Sequence, residues 1–167
     1  TSGDVAHGLF AQSAAGQGTA GAVDVVLDGS IDVSGRGADG VHAHSGGAAD
    51  SGPISVRIEG GGSIRGGSGT GVGLRLSGGT DNLITNHGAL SAQSGTAIVG
   101  GDGGETVFNH GTVTGSVALG SGANAFLNED GSLLNSGEVV GLGAGNLLTN
   151  QGVLAPGGDG ALMRTAL

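Results

Sequence analysis

His42 and His44 form a His-x-His pair, and Asp39 and Asp50 stand close by in the flanking segments. On a strand, residues two apart share a face, so both imidazoles project to the same side. Imidazole and carboxylate are zinc-ligand types, which makes this the best metal candidate in the chain. A structural zinc takes four ligands, and the spacing supplies no confirmed third. No metal is assigned, and His42 and His44 stand as the candidate residues. His87 and His110 both occur in Asn-His-Gly. One repeat apart, they should stack at roughly 5 Å, the strand spacing of a sheet, where paired rings could hold Zn or Ni or sense pH. The next copies carry Glu129 and Gln151 at that place, so no third imidazole is available.

Other chemistries fail on residue type. Gly120-Ser-Gly-Ala-Asn124 is close to the calcium-binding Gly-Gly-x-Gly-x-Asp unit, but Asn replaces Asp and the tandem repeat is missing, so calcium is rejected. The Gly-rich stretches 66–73 and 100–104 cannot work as a P-loop, because the chain has no Lys and no helix for the loop to open. A glycan-cleaving site needs clustered carboxylates, or a basic residue beside metal-binding Asp side chains. Asp24, Asp28 and Asp32 line one early region, while Asp102, Glu105, Glu129 and Glu138 are isolated. Asp28 and Asp32 beside Arg57 are the nearest approach to such a site. No Gly-x-Ser-x-Gly elbow is present, and Ser, His and Asp occur only as scattered residues. No catalytic residue and no cofactor is assigned.

The element that must position all of these residues is a repeat. Asn109-His-Gly-Thr-Val113 leads into Gly115-Ser-Val-Ala-Leu-Gly120, Ser121-Gly-Ala-Asn124 and Ala125-Phe-Leu-Asn128. The second copy runs from Gly131-Ser-Leu-Leu134 through Gly137-Glu-Val-Val-Gly-Leu142 to Leu147-Leu-Thr-Asn150, and Gln151-Gly-Val-Leu154 opens a third. A unit of roughly twenty residues is too long for a hairpin and too short for a βαβ unit, and it signals a solenoid. Upstream, Gly40-Val-His-Ala-His44 matches Gly8-Leu-Phe-Ala-Gln12, and Gly71-Val-Gly-Leu-Arg-Leu76 follows as the next partner. Turn glycines recur at Gly29, Gly62, Gly88, Gly111, Gly131 and Gly152, and their separations shorten along the chain. The expected organisation is one domain over 1–167, with long-loop coils in 1–80 and short regular coils in 81–158.

Composition narrows the architecture. With 41 Gly and only 2 Pro the chain has no collagen period, and 37% hydrophobic residues exclude a flexible linker. No window carries the spacing of an amphipathic helix, and the aromatic signatures of a propeller are missing. The fold class expected is all-β, a right-handed parallel β-helix of about six to seven coils. Its inward positions are expected at Val25, Ile31, Ile54, Ile64, Leu74, Leu83, Leu90, Ile98, Val107, Val113, Leu119, Phe126, Leu133, Leu142, Leu147 and Leu154. Asn86, Asn109, Asn128 and Asn150 recur at one place in the repeat and are expected to form an asparagine ladder at a corner. Net charge is −9, and the 5 basic residues, all Arg, form no cluster, which argues against nucleic acid and anionic lipid as partners. Cys is absent, so stability has to come from stacking or the chain is cytosolic. Thr1 and Leu167 look like the cut ends of a longer polypeptide.

The runs Asn109–Asn128 and Val140–Gly158, closing on Leu154-Ala-Pro-Gly-Gly158, resemble the repeats of bacterial autotransporter (type V secretion) passenger domains. The resemblance is good over 81–158 and looser over 1–80. It implies a β-helix exported through the outer membrane, displayed on the cell surface or secreted, with the chain's own C-terminal β-barrel as its export partner. The resemblance specifies activity poorly, because such passengers include adhesins, self-associating aggregation factors, proteases and esterases, the enzymes usually carrying a separate catalytic module. The activity expected here is non-enzymatic: adhesion to host-cell or sister-cell surfaces, self-association and biofilm formation. A spacer or folding scaffold is the alternative, and a polysaccharide-acting β-helix enzyme a further one.

Overall fold

Alternating aliphatic and polar residues, broken every few positions by Gly or Asn, give strands whose inward sides are Val, Ile and Leu. A computed structural model describes residues 3–157. Gly158 of the closing motif and Arg164 lie outside them. The described residues contain strands and no helix. In chain order the strands are β1 Leu9–Ala15, β2 Val23–Leu27, β3 Ser30–Asp32, β4 Val41–Gly47, β5 Ile54–Ile58, β6 Ser63–Gly66, β7 Leu74–Gly78 and β8 Asn82–Asn86. They continue as β9 Ala89–Val99, β10 Glu105–Asn109, β11 Thr112–Ala118, β12 Ala125–Asn128, β13 Leu133–Gly141, β14 Leu147–Asn150 and β15 Val153–Leu154.

The protein is all-β, and its sheets are parallel. One sheet runs β1-β4-β7-β9-β11-β13-β15, with β3 joined to it through β6 and β9; the other runs β14-β12-β10-β8-β5-β2. Parallel neighbours need a long crossover, usually helical. Here the crossovers contain strands instead of helices, and from β8 to β15 each is a single strand of the opposite sheet. The register then superimposes like on like. Val25, Val56, Ile84, Val107, Phe126 and Leu148 form one column. Ile31, Ile64, Leu90, Val113, Leu134 and Leu154 form a second. Leu9, Val41, Leu74, Ile98, Val117 and Val140 form a third.

Three of the expected inward positions are one residue off. Leu83 and Leu147 are exposed and Leu133 is half-buried, whereas Ile84 and Leu134 are fully buried and Leu148 packs on the core. The reason is parity. Asn82 and Asn86 both turn inward, so the residue midway between them, Ile84, must turn inward too. A one-residue slip exchanges the two faces of a strand.

The turn glycines form a column with one exception. The register stacks Gly62, Gly88 and Gly111, and a Cβ on Gly88 or Gly111 would collide with the carbonyl of the glycine beneath. In the next strand of the sheet that place belongs to Ser132, not Gly131, because Thr112 pairs with Leu133. Gly131 lies in the extra length between Asn128 and Ser132 and turns with φ +76°. Gly152 rejoins the column above Ser132, close to the Glu129 and Ser132 carbonyls.

Candidate functional site

The expected ladder is present, and it is buried. Asn86 Nδ2 donates to Asn109 Oδ1 at 2.8 Å, Asn109 Nδ2 to Asn128 Oδ1 at 2.7 Å, and Asn128 Nδ2 to Asn150 Oδ1 at 2.7 Å. Each of these three amides also donates to a backbone carbonyl of the opposite sheet: Thr112 O, Leu133 O and Val153 O. Every member up to Asn128 is fully internal, while Asn150 is exposed at the end of the stack. The amides are therefore structural, and their hydrogen bonds are consumed within the ladder.

A second polar column lies at the opposite end of the same strands. Asn82, Glu105, Asn124 and Asn146 occupy equivalent register positions in β8, β10, β12 and β14 or the residue preceding them. Asn82 Nδ2 donates to Glu105 Oε1 at 3.1 Å, and Asn124 Oδ1 accepts the Glu105 amide at 2.8 Å. Asn124 Nδ2 donates to Leu142 O at 2.8 Å, so the amide of the calcium-like motif faces inward. The signal was in the sequence: Asn-x-x-x-Asn occurs at 82–86, 124–128 and 146–150, with Glu105 in the fourth copy.

Glu105 is the misfit in that column. It is fully buried, and Oε2 has no hydrogen-bond partner. Burial pushes its carboxyl above the usual range, against hydrogen bonds from Asn82 and the Gly101 amide that pull it down; nearby Asp102 pushes it up further. A carboxyl raised on folding binds its proton more tightly in the native state. Its destabilising effect is therefore absent at acid pH and grows as pH rises past the unfolded value. Glu105→Gln should raise stability at pH 7 by about 1 kcal/mol, because a neutral amide is cheaper to bury than a carboxylate. The gain should vanish below about pH 4, where the free carboxyl is protonated in both states. Urea titrations at the two pH values measure this, and a loss of stability at pH 7 would contradict it.

The His87 and His110 rings stack as expected, with centroids 4.6 Å apart and planes 6° from parallel, and Phe108 lies 6.5 Å beyond His110. Among the described residues no third ligand joins them. The glycan-cleaving set is not assembled either: Arg57 is held by Glu59 at 2.8 Å, and Asp32 lies 3.5 Å from Arg65.

The chemistry gathers instead on the outward face of β1, β4 and β7. Parallel register lays out two rows there, Phe10–His42–Arg75 and Gln12–His44–Ser77. His42 and His44 do share a face, but they do not share a site. Asp39, from the turn before β4, is buried beneath His42, and Asp50 instead accepts the amide of Ser51 at 2.8 Å. Arg75 clamps Asp39, with Nε donating to Oδ2 at 2.7 Å and Nη2 to Oδ1 at 3.2 Å; the Val72 amide adds a bond to Oδ1 at 2.9 Å. His7 enters from before β1, its Nδ1 accepting the Asp39 amide at 3.0 Å. The His42 ring is boxed edge-on by His7 and Phe10, each with its centroid 5.2 Å away. His42 Nε2 lies 2.9 Å from Ser77 Oγ, and Nδ1, buried and without a hydrogen-bond partner, lies 3.6 Å from Asp39 Oδ2. Burial lowers the pKa of His42. Asp39 opposes this, while His7, Arg75 and His44 add to it, so the ring is neutral at pH 7.

No protein-family model, curated protein or solved structure matches this chain. His7, Asp39 and His42 each offer a ligand atom within 4.8 Å of the others, the only such trio among the described residues. A cation there would compete with the Asp39 amide for His7 Nδ1 and with Arg75 for the carboxylate. Ser77, His42 and Asp39, scattered in sequence, form a continuous Ser–His–Asp line.

Proposed function

We propose that this chain is part of a right-handed parallel β-helix from the exported passenger of a bacterial autotransporter, acting at the cell surface or after secretion in adhesion and cell–cell aggregation. The observation that carries the reading is the outward face of β8, β10, β12 and β14. Its side chains are Leu83, Thr85, Thr106, Phe108, Ala125, Leu127, Leu147 and Thr149. This face carries no charge, in a chain whose net charge is −9. Two copies repel one another over most of their surface, and a neutral face with exposed Leu83 and Leu147 is where they can meet. Four strands offer only a few hundred square ångströms, less than a standard interface, which suits weak contacts multiplied along a long surface.

Sedimentation velocity across a range of concentrations tests this. The chain should associate reversibly, and Phe108→Glu with Leu127→Glu should return it to monomer. A strict monomer at every concentration would remove self-association and favour the spacer reading.

A further inference from the structure

We propose that Ser77 is a nucleophile activated by His42 and that the outward face of β1, β4 and β7 carries an ester-hydrolysing site, with Asp39 as the positioning residue. The proposal is independent of the adhesion reading and uses a different face of the molecule.

A nucleophile and its base must lie within hydrogen-bond reach, and the base needs a third group to orient it. Ser77 Oγ and His42 Nε2 meet the first condition at 2.9 Å. For the second, a buried ring nitrogen without a partner is uncommon, and His42 Nδ1 is one. The acceptor facing it is Asp39 Oδ2 at 3.6 Å, a separation that catalytic hydrogen bonds often show before substrate arrives. A carboxylate in that position favours the tautomer with the proton on Nδ1, which leaves the Nε2 lone pair to accept the Ser77 hydroxyl proton. Asp39 cannot swing away, because Arg75 and the Val72 amide hold both of its oxygens. The same Arg75 offsets part of the carboxylate's field, so the activation is smaller than a lone carboxylate would give.

The chemistry balances with water as the only co-reactant. Ser77 Oγ attacks the ester carbonyl as its proton passes to Nε2. The carbon–oxygen bond to the leaving alcohol then breaks, and Nε2 returns the proton to that oxygen. Water, deprotonated by the same nitrogen, attacks the acyl carbon; the bond to Ser77 Oγ breaks, Nε2 returns the proton to Oγ, and the acid leaves. His7 and Phe10 wall one side of the ring, while Ser77 is half-exposed beside Gln12 and His44. An open polar floor of this kind takes a short acyl group on a hydrophilic alcohol rather than a long lipid chain.

Diisopropyl fluorophosphate is the probe, with peptide mapping of the phosphorylated serine. Ser77 should react at least about 100-fold faster than exposed Ser34, and His42→Gln should bring it to the Ser34 rate while the strand spectrum persists. The labelling rate should hold down to below pH 6.5 before falling, since His42 titrates below the ordinary value. Asp39→Asn should move that midpoint to lower pH, because the carboxylate is what raises it; a purely structural role would leave it in place. Equal labelling of Ser77 and Ser34, or labelling indifferent to His42→Gln, overturns the proposal. So does loss of labelling on adding a chelator, which would assign His7, Asp39 and His42 to a cation.

Discussion

Leu119→Asp should abolish cooperative unfolding at neutral pH. Leu119 is fully buried, and its amide donates to Gly141 O at 2.8 Å, which locks it beside β13. Register places Gly100 on one side and Leu142 on the other. The space over Gly100 is taken by the buried Glu105 carboxyl, whose Oε2 would lie 3.1 Å from a Cβ there and has no hydrogen-bond partner, so the nearest polar group on that side is another carboxyl rather than a donor for the new one. An isolated buried charge costs several kcal/mol even after relaxation, and a domain has only about 5–15 kcal/mol in total. Leu119→Ala separates charge from cavity: it should cost about 2–5 kcal/mol and still melt cooperatively. The aspartate variant should partly recover in acid, because a buried carboxyl has a raised pKa and folds readily only when protonated. Thermal melts by circular dichroism at pH 7 and pH 3 decide it; an unchanged melting curve at pH 7 would refute the placement of Leu119.

How much of this was legible depended on whether a residue type has one use or several. Asn at a fixed place in a strand repeat has essentially one, so the ladder at Asn86, Asn109, Asn128 and Asn150 followed from spacing, and the structure contains it. Paired aliphatics have two uses. In Asn82-Leu-Ile-Thr-Asn86 and Asn146-Leu-Leu-Thr-Asn150 either neighbour can face inward, and only the inward amides at both strand ends settle which does. Gly131 misled because the repeat that carries it is longer at the turn, and Ser132 takes the column position.

The site was harder. His42 and Ser77 are separated by 35 residues, and Gly40-Val-His-Ala-His44 shares no side-chain chemistry with Gly73-Leu-Arg-Leu-Ser77. Only the register of β4 on β7 brings them together, and that register depends on the long loops between them. His7 was invisible for the same reason: its role comes from lying beside Asp39, 32 residues further on.

The ladder supplies the second large effect. Asn109→Asp should cost about 3–5 kcal/mol at pH 7, the range seen when a buried charge loses its compensation. Asn109 Nδ2 donates at 2.7 Å to Asn128 Oδ1 and at 3.1 Å to Leu133 O, while its Oδ1 accepts from Asn86 Nδ2 and the Gly111 amide. A carboxylate keeps the acceptor half and turns the donor half into a second acceptor aimed at two oxygens. Hydrogen bonds that ran one way along the column then meet head-on, in a site where no water can intervene. Acidification returns a single O–H donor, so the penalty should shrink as pH falls through the raised pKa of the new carboxyl. Asn150→Asp is the internal control. Asn150 is exposed, and among the described residues its Nδ2 donates to Gly152 O alone, so the same change there should cost well under half as much. Urea denaturation of both variants at pH 7 and pH 3 measures the difference. Equal losses at the two positions would mean that the amides act as independent turn residues rather than as one directional ladder.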